Sequence, residues 1–374
     1  MNNYNMNNMK KSIFIIAATA LVISCSSNDV KNEIVQEETP IGFSNINVGK
    51  KTKNAGEITN KAALEQENNT IKVWGWKTYN ATPSIVFDGT TVTYNAAYAA
   101  NHTTGWNYSP LKYWDFAASY DFYAVAPATK FSINANTKIL TATSVEPVQI
   151  LADNNGNSKV TTSSAIDYLV AANVHRNAPK GNAADDDVEF TFSHILSKLA
   201  VKVLTTTDFN NSGSNYPQIE LTKLTVNIQG MCPTYTQKTA GAVNSSSTDG
   251  DTWSGTAAGS TPLYCYKTEG SVAALLLSTT ATEVASYLVA PTATGATPAT
   301  STYTVDVEYD VIYSATANDS EHFVAAGKQI GTLNKFGQNT SNTLTITIAP
   351  QAIYFDVATI SDWTNGLNGT VTIE

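Results

Sequence analysis

A chain of 374 residues with only 14% charged side chains and a formal net charge of −9 must build its surface largely from hydroxyls and amides. Its one arginine is Arg176, and no basic cluster exists beyond Lys50-Lys51 and Lys53, which excludes a nucleic-acid partner, since phosphates demand a basic face. The length suits two domains or one large one, and Thr, Ser, Asn, Val and Tyr abound while no long stretch is apolar at every third or fourth position. An all-β chain is expected.

The N-terminus sets the compartment. Lys10-Lys11 precede Ser12–Ile23, an apolar run too short for a permanent membrane span but of the length of a signal-peptide core. Met9 would open a more usual signal than the Asn-rich residues before it. The run ends in Val22-Ile23-Ser24-Cys25, with a small residue directly before the cysteine, as a lipoprotein peptidase requires. Residues 1–24 are therefore predicted to be a lipoprotein signal peptide, and Cys25 the acylated first residue of the mature protein. An ordinary secretory signal that happens to contain a cysteine is the alternative. Ser26 and Ser27 lack the aspartate that holds lipoproteins at the inner membrane, so the predicted location is the outer membrane, reached through the lipid anchor.

Residues 25–40 are polar and read as a tether. Ile41–Val48 is the first strand, followed by a lysine-rich loop over 49–56. Ile71–Trp76 is a strand, and Ser84–Phe87 and Thr91–Tyr94 are predicted to pair through an Asp88-Gly89 hairpin turn. Trp106–Trp114 and Tyr120–Ala126 complete an aromatic cluster. Weaker strands are predicted at Lys138–Ala142 and Ile166–Ala171. The polar stretch Arg176–Asp187 reads as a linker, dividing an N-terminal domain over 41–187 from a C-terminal one over 188–374.

Beyond it comes the most informative stretch of the sequence. Val188, Phe190, Phe192, His194 and Leu196 are apolar or aromatic on even positions, whereas Leu199, Val201 and Val203 occupy odd ones. A regular strand keeps its faces, so a bend or bulge is predicted near Ser197-Lys198, where the chain passes between two layers. Ile219–Ile228 is a further strand, 236–262 reads as a long exposed loop, and Tyr303–Tyr313 gives the cleanest alternation. Thr343–Ile348, Ile353–Val357 and Gly369–Glu374 close the chain. These spacings suit two antiparallel β-sandwiches in tandem.

No catalytic, cofactor or metal constellation emerges, and the chain is not expected to be an enzyme. His102, His175, His194 and His322 show no ligand spacing, and His194, on the apolar face of its strand, reads as a satisfied core residue. Asp185-Asp186-Asp187 reads as a solvated run. Trp74, Trp76, Trp106 and Trp114 could stack on sugars, but packing between sheets accounts for them. Cys232 and Cys265 flank the 236–262 loop; a disulfide in an oxidising envelope and two separate, partly buried thiols are both compatible with the sequence.

The lipobox at Val22–Cys25, Ile41-Gly42-Phe43, Trp106-x-Tyr108-x-Pro110 with Tyr113-Trp114, and Tyr120-x-Phe122-x-Ala124 with Pro127 together resemble the fimbrillin family. So do Phe190-x-Phe192-x-His194-x-Leu196-Ser197-Lys198-Leu199 and Ile353…Trp363. These are the Mfa-like lipoproteins that build type V pili on Gram-negative anaerobes, and the resemblance covers nearly the whole mature chain. It implies two transthyretin-like sandwiches and a cell-surface fimbrial subunit or adhesin. It also implies an N-terminal strand that is cut free so that a neighbour's strand can take its place. The expected partners are other fimbrial subunits, the outer membrane through the anchor, and a host or bacterial surface glycan or protein. Family members often carry Thr-Arg-Ala after the first strand; here the matching residues are Thr52-Lys53-Asn54. Processing would need a lysine-directed protease acting at Lys50, Lys51 or Lys53, or the strand stays in place. A surface glycan-binding lipoprotein that does not polymerise is the alternative reading. Donor segments are expected at Ile353–Val357 or Val371–Ile373.

Overall fold

Nearly every alternating stretch of the sequence is a strand in the computed structural model, and helix is confined to Lys61–Leu64 and Ala96–Ala99 among the described residues. Those residues are 39–48, 58, 61–66, 68–99, 105–151, 167–178, 187–206, 216–229, 231–241, 251–255, 260–268, 273–291, 303–316, 319–330, 338–349 and 352–356.

The first sheet is 8-stranded. Its spatial order is Phe43–Val48, Val188–His194, Leu169–Ala171, Ser119–Ala126, Thr70–Tyr79, Thr82–Tyr94 and Trp106–Asn107, with Val174–Asn177 also pairing to Ser119–Ala126. Period-two alternation divides its side chains cleanly. Tyr120, Phe122, Ala124 and Ala126 join the core that holds Phe43, Val188, Phe190 and Phe192. Tyr123 and Val125, on the opposite face, join the core of a small 4-stranded sheet built from Phe131–Ile133, Leu140–Ala142, Thr234–Thr236 and Thr252–Ser254.

One hairpin differs from the sequence reading. Thr82–Tyr94 is a single strand, and the reversal lies before it, at Asn80-Ala81, between Tyr79 and its partner Thr82. Both turn residues have positive φ (47° and 61°), the requirement of a two-residue turn matched to strand twist. Gly89, with φ +67°, sits where the register slips between Val73 and Gly75. Its left-handed conformation serves a bulge rather than a turn.

The kink in the central stretch is present. In Val188–His194 the residues Val188, Phe190, Phe192 and His194 are buried while Glu189 and Thr191 are exposed. The strand stops there, and Ser197–Thr205 enters a different sheet, antiparallel to Thr282–Val289 and parallel to Ser341–Ala349. The change of sheet falls at Ile195-Leu196, not in the polar stretch before Val188. The corner's backbone is satisfied locally: Ile195 N–H donates to Tyr168 O (3.1 Å), and Leu196 O accepts from Asn339 N–H (3.0 Å).

That second sheet runs Ala352–Asp356, Ser341–Ala349, Ser197–Thr205, Thr282–Val289 and Val148–Leu151. The third runs Ser260–Lys267, Gln218–Gln229, Tyr303–Ile312 and Ser320–Ile330, with Leu275–Leu276 on Gln218–Gln229. Leu199, Val201, Leu344 and Ile346 from the second share one core with Ile219, Leu224, Val305 and Val307 from the third. The expected exposed loop over 236–262 is interrupted. Thr252–Ser254 pairs with Thr234–Thr236, and Trp253 is 2% exposed. Asp251 beside it accepts from Tyr235 Oη at 2.7 Å and from Lys238 N–H at 2.9 Å. One buried indole thus ties a Ser- and Thr-rich stretch into the fold.

Candidate functional site

The feature that stands apart is how the chain's first strand is held. Phe43–Val48 lies at the edge of the first sheet and pairs with Val188–His194 in parallel, Phe43 opposite Val188 and Val48 opposite Phe192. Parallel strands need a long connection, and here nearly the whole first half of the chain lies between the two. Residues 39–42 lead into the strand between two other segments. On one side Trp114 N–H donates to Thr39 O (3.0 Å) and Ile41 N–H to Lys112 O (2.8 Å). On the other, Val188 N–H donates to Gly42 O (2.8 Å); Tyr108 Oη, which also contacts the Lys112 backbone, donates to Ile41 O (2.6 Å).

The side chains go further in than the backbone. Ile41 is 1% exposed and Phe43 is fully buried. The Phe43 ring lies 5.5 Å from Phe87 and 5.6 Å from Tyr108, both edge-on, and stacks 5.9 Å from Phe190. Phe122 is edge-on at 6.5 Å. Burying two such side chains contributes about 1.5–3 kcal/mol each, and well-oriented ring pairs add about 0.5–1.5 kcal/mol. Without residues 39–48, therefore, the sheet would present an open strand edge beside an aromatic-lined slot.

The far side of the loop is anchored as well. Ile58 N–H donates to Asp167 Oδ2 at 3.1 Å, and the same carboxylate oxygen lies 2.9 Å from His194 Nδ1, both side chains being fully buried. His194 is thus the core residue expected, with Asp167 as its companion. No sequence spacing signals this pair, because the two are brought together only by the pairing of Leu169 with His194. Val48 and Ile58 are thus each held, one by strand pairing and one by the Asp167 carboxylate.

The other expected site residues fall as follows. Cys25, Lys50, Lys51, Lys53, His102, Asp185 and Asp186 lie outside the described residues. Cys232 and Cys265 are buried thiols. Cys265 sits at the bulge opposite Leu224 and Thr225, and Cys232 follows the end of that strand, Gln218–Gln229. Burial pushes the Cys265 thiol up to about 12, which holds it protonated and inert at neutral pH. Trp74, Trp76, Trp106 and Trp114 are each 5% exposed, and Lys138 Nζ sits 3.4 Å above the Trp76 ring, so none offers a sugar-stacking face. His175 and His322 form exposed pairs with Asp121 (2.8 Å) and Asp310 (2.6 Å). Arg176 lies in a strand and donates to the backbone carbonyl of Asp187, the residue before Val188–His194.

A fimbrillin-like family profile matches residues 58–363. No curated protein matches the chain. Among solved structures it is similar to a fimbrial protein from Bacteroides vulgatus, with 16% identity and a TM-score of 0.47, over 85% of this chain and 99% of that one. A candidate cell adhesion protein from Bacteroides uniformis is 15% identical, with a TM-score of 0.41, over 88% and 99% respectively. Another from Bacteroides ovatus is 16% identical at 0.41, over 88% and 99%. The family profile spans well over half of the sequence, and the chain belongs to the fimbrillin-like family.

Proposed function

We propose that this fimbrial subunit or adhesin is a structural outer-membrane lipoprotein, anchored through Cys25, that joins other fimbrial subunits by strand replacement. Its two lobes are read as transthyretin-like sandwiches. The observation that carries the reading is the Phe43–Val48 strand: an edge strand, parallel to Val188–His194, whose Phe43 fills an aromatic slot. An open edge over an apolar groove is an unsatisfied surface, and an added strand satisfies its backbone and side chains together. The loop beyond Val48 offers Lys50, Lys51 and Lys53 and no arginine. Cleavage there by a lysine-directed protease makes the chain a polymerising subunit; retention of the strand makes it a terminal or anchoring one.

The test compares a protein beginning at Asn54 with one beginning at Ser26 by size-exclusion chromatography. The longer form should be monomeric, because an intramolecular strand enjoys a high effective concentration. The shorter should self-associate. Monomers in both cases, with no binding of strand peptides, would remove strand replacement from the account. Anchoring is checked separately: Cys25→Ala should abolish incorporation of labelled fatty acid, and equal labelling of both forms would refute the lipid attachment.

A further inference from the structure

The corner that joins Val188–His194 to Ser197–Thr205 also links the acceptor edge to the chain's last described strands. Ser197–Thr205 and Ser341–Ala349 run parallel, from Lys198 opposite Ser341 to Thr205 opposite Ile348, with no shift of register over about 23 Å. On its other side Ser197–Thr205 pairs less regularly, with a bulge between Val201 and Lys202 against Thr282–Val289. Leu199, Val201, Val203, Leu344, Ile346 and Ile348 bury one face of the parallel pair in the core. Its corner end is filled instead by polar groups that bond to one another. Ser197 is fully buried and Asn342 is 7% exposed. Asn342 Nδ2 donates to Ser197 Oγ (2.8 Å) and to Lys198 O (3.2 Å). Ser197 Oγ lies 3.0 Å from Thr340 Oγ1, and Lys198 N–H donates to Thr340 O (2.8 Å). A buried amide bonded in this way fixes register, because a slip of one residue would leave it unpaired and turn the apolar side chains off the core.

Because the two strands are parallel, the start of Ser197–Thr205 and the end of Ser341–Ala349 lie at opposite ends of the pair. The first end continues back through the corner into Val188–His194, and the second leads into Ala352–Asp356. Resting on the strand-replacement reading, a neighbour's strand seated on Val188–His194 pulls at one end, and this chain's own donor segment pulls at the other. Such a load slides the strands along each other and strains all their hydrogen bonds together. Pulling both strands from the same end would break the bonds one at a time. We infer that the pair of Ser197–Thr205 with Ser341–Ala349 is a shear clamp that carries tension along a fimbria, with Asn342 as the pin that holds its register. Forced unfolding is governed by the barrier to rupture rather than by equilibrium stability, so the clamp shows itself in the direction of pulling and not in a denaturant midpoint.

Single-molecule pulling on the mature chain beginning at Ser26 is the test. One handle sits at the C-terminus, and the second on Thr191→Cys or on Thr206→Cys; both positions are exposed, and the native thiols Cys232 and Cys265 are buried. Thr191→Cys loads the start of Ser197–Thr205 and gives shear, whereas Thr206→Cys loads its end and gives unzipping. Ala352–Asp356 peels from Ser341–Ala349 first in both, so the difference between them reads the parallel pair. Rupture should need severalfold more force from Thr191 than from Thr206. Adding Asn342→Ala should lower the first force and leave the second close to native, since unzipping starts where Thr205 faces Ile348 and reaches Asn342 last. Where Asn342→Ala does not fold, Ser197→Ala removes the acceptor of the same amide at little change in volume, with the same expected result. Equal forces in the two geometries overturn the clamp, and a loss of the same size in both overturns the pin. Neither result bears on strand replacement, which stands or falls on whether the protein beginning at Asn54 self-associates.

Discussion

Phe43→Ala in the full mature chain should lower unfolding stability by about 3–5 kcal/mol, the range found when a fully buried phenylalanine is cut back in a core that cannot close over the gap. Closure is difficult here because the ring is bounded by four others, each held in its own strand or turn: Phe87, Tyr108, Phe122 and Phe190. The strand also lacks neighbours to share the load. It is at the sheet edge, and among the described residues its strand partner beyond Gly42 is Val188–His194. Tyr79→Ala is the control: that ring is 49% exposed at a hairpin end, and its removal should stay within about 0.5 kcal/mol. Urea unfolding of the three proteins decides the matter. A loss below about 1 kcal/mol for Phe43→Ala would mean that the slot collapses when emptied and is not a preformed receptor.

What the sequence made legible follows from the kinds of residue involved. Val188–His194 could be placed because alternation of large apolar and polar side chains survives whatever sheet a strand joins, and the phase change at Leu199 marked the corner. The aromatic cluster was legible as core for the same reason, since Trp74, Trp76, Trp106 and Trp114 are too apolar to leave exposed in such numbers. The hairpin was misplaced because Asp88-Gly89 carries the stronger turn signature, whereas Asn80-Ala81 forms the turn with an alanine at positive φ. Local chemistry favoured one site, and the register of Thr70–Tyr79 against Thr82–Tyr94 selected the other. The Ser- and Thr-rich 236–262 stretch read as loop because composition averages over Trp253, a single side chain whose burial outweighs its neighbours. Two parts of the groove had no sequence signal at all. Asp187 was one of three aspartates in a polar run, and nothing but the fold brings it against Gly42. Asp167 was likewise invisible, since its role depends on contacts with Ile58 and His194, residues remote in sequence on either side.

That carboxylate carries the second large expected effect. Asp167 and His194 are both fully buried and 2.9 Å apart, and Asp167 Oδ2 also accepts the Ile58 N–H. Asp167→Ala removes the carboxylate beside His194 and leaves the Ile58 N–H without this acceptor. Breaking a buried pair by removing one partner costs up to about 3–5 kcal/mol, and a lost acceptor for the part-buried Ile58 amide adds about 1 kcal/mol. Asp167→Asn is the informative companion. It keeps an oxygen for Ile58 and a similar volume but replaces the carboxyl by an amide, so the loss should be smaller and should report mainly on the contact with His194. Replacing both members, Asp167→Leu with His194→Leu, removes the stranded partner, so the double variant should be more stable than the sum of the single losses implies. Hydrogen exchange separates the two roles of Asp167: the Ile58 amide should exchange faster in Asp167→Ala and stay close to native in His194→Leu. Strictly additive losses in the double-variant cycle, with Ile58 exchange unchanged by Asp167→Ala, would show that the carboxylate neither couples to His194 nor anchors the chain beyond the loop. In that event contacts other than this carboxylate hold the chain at Ile58.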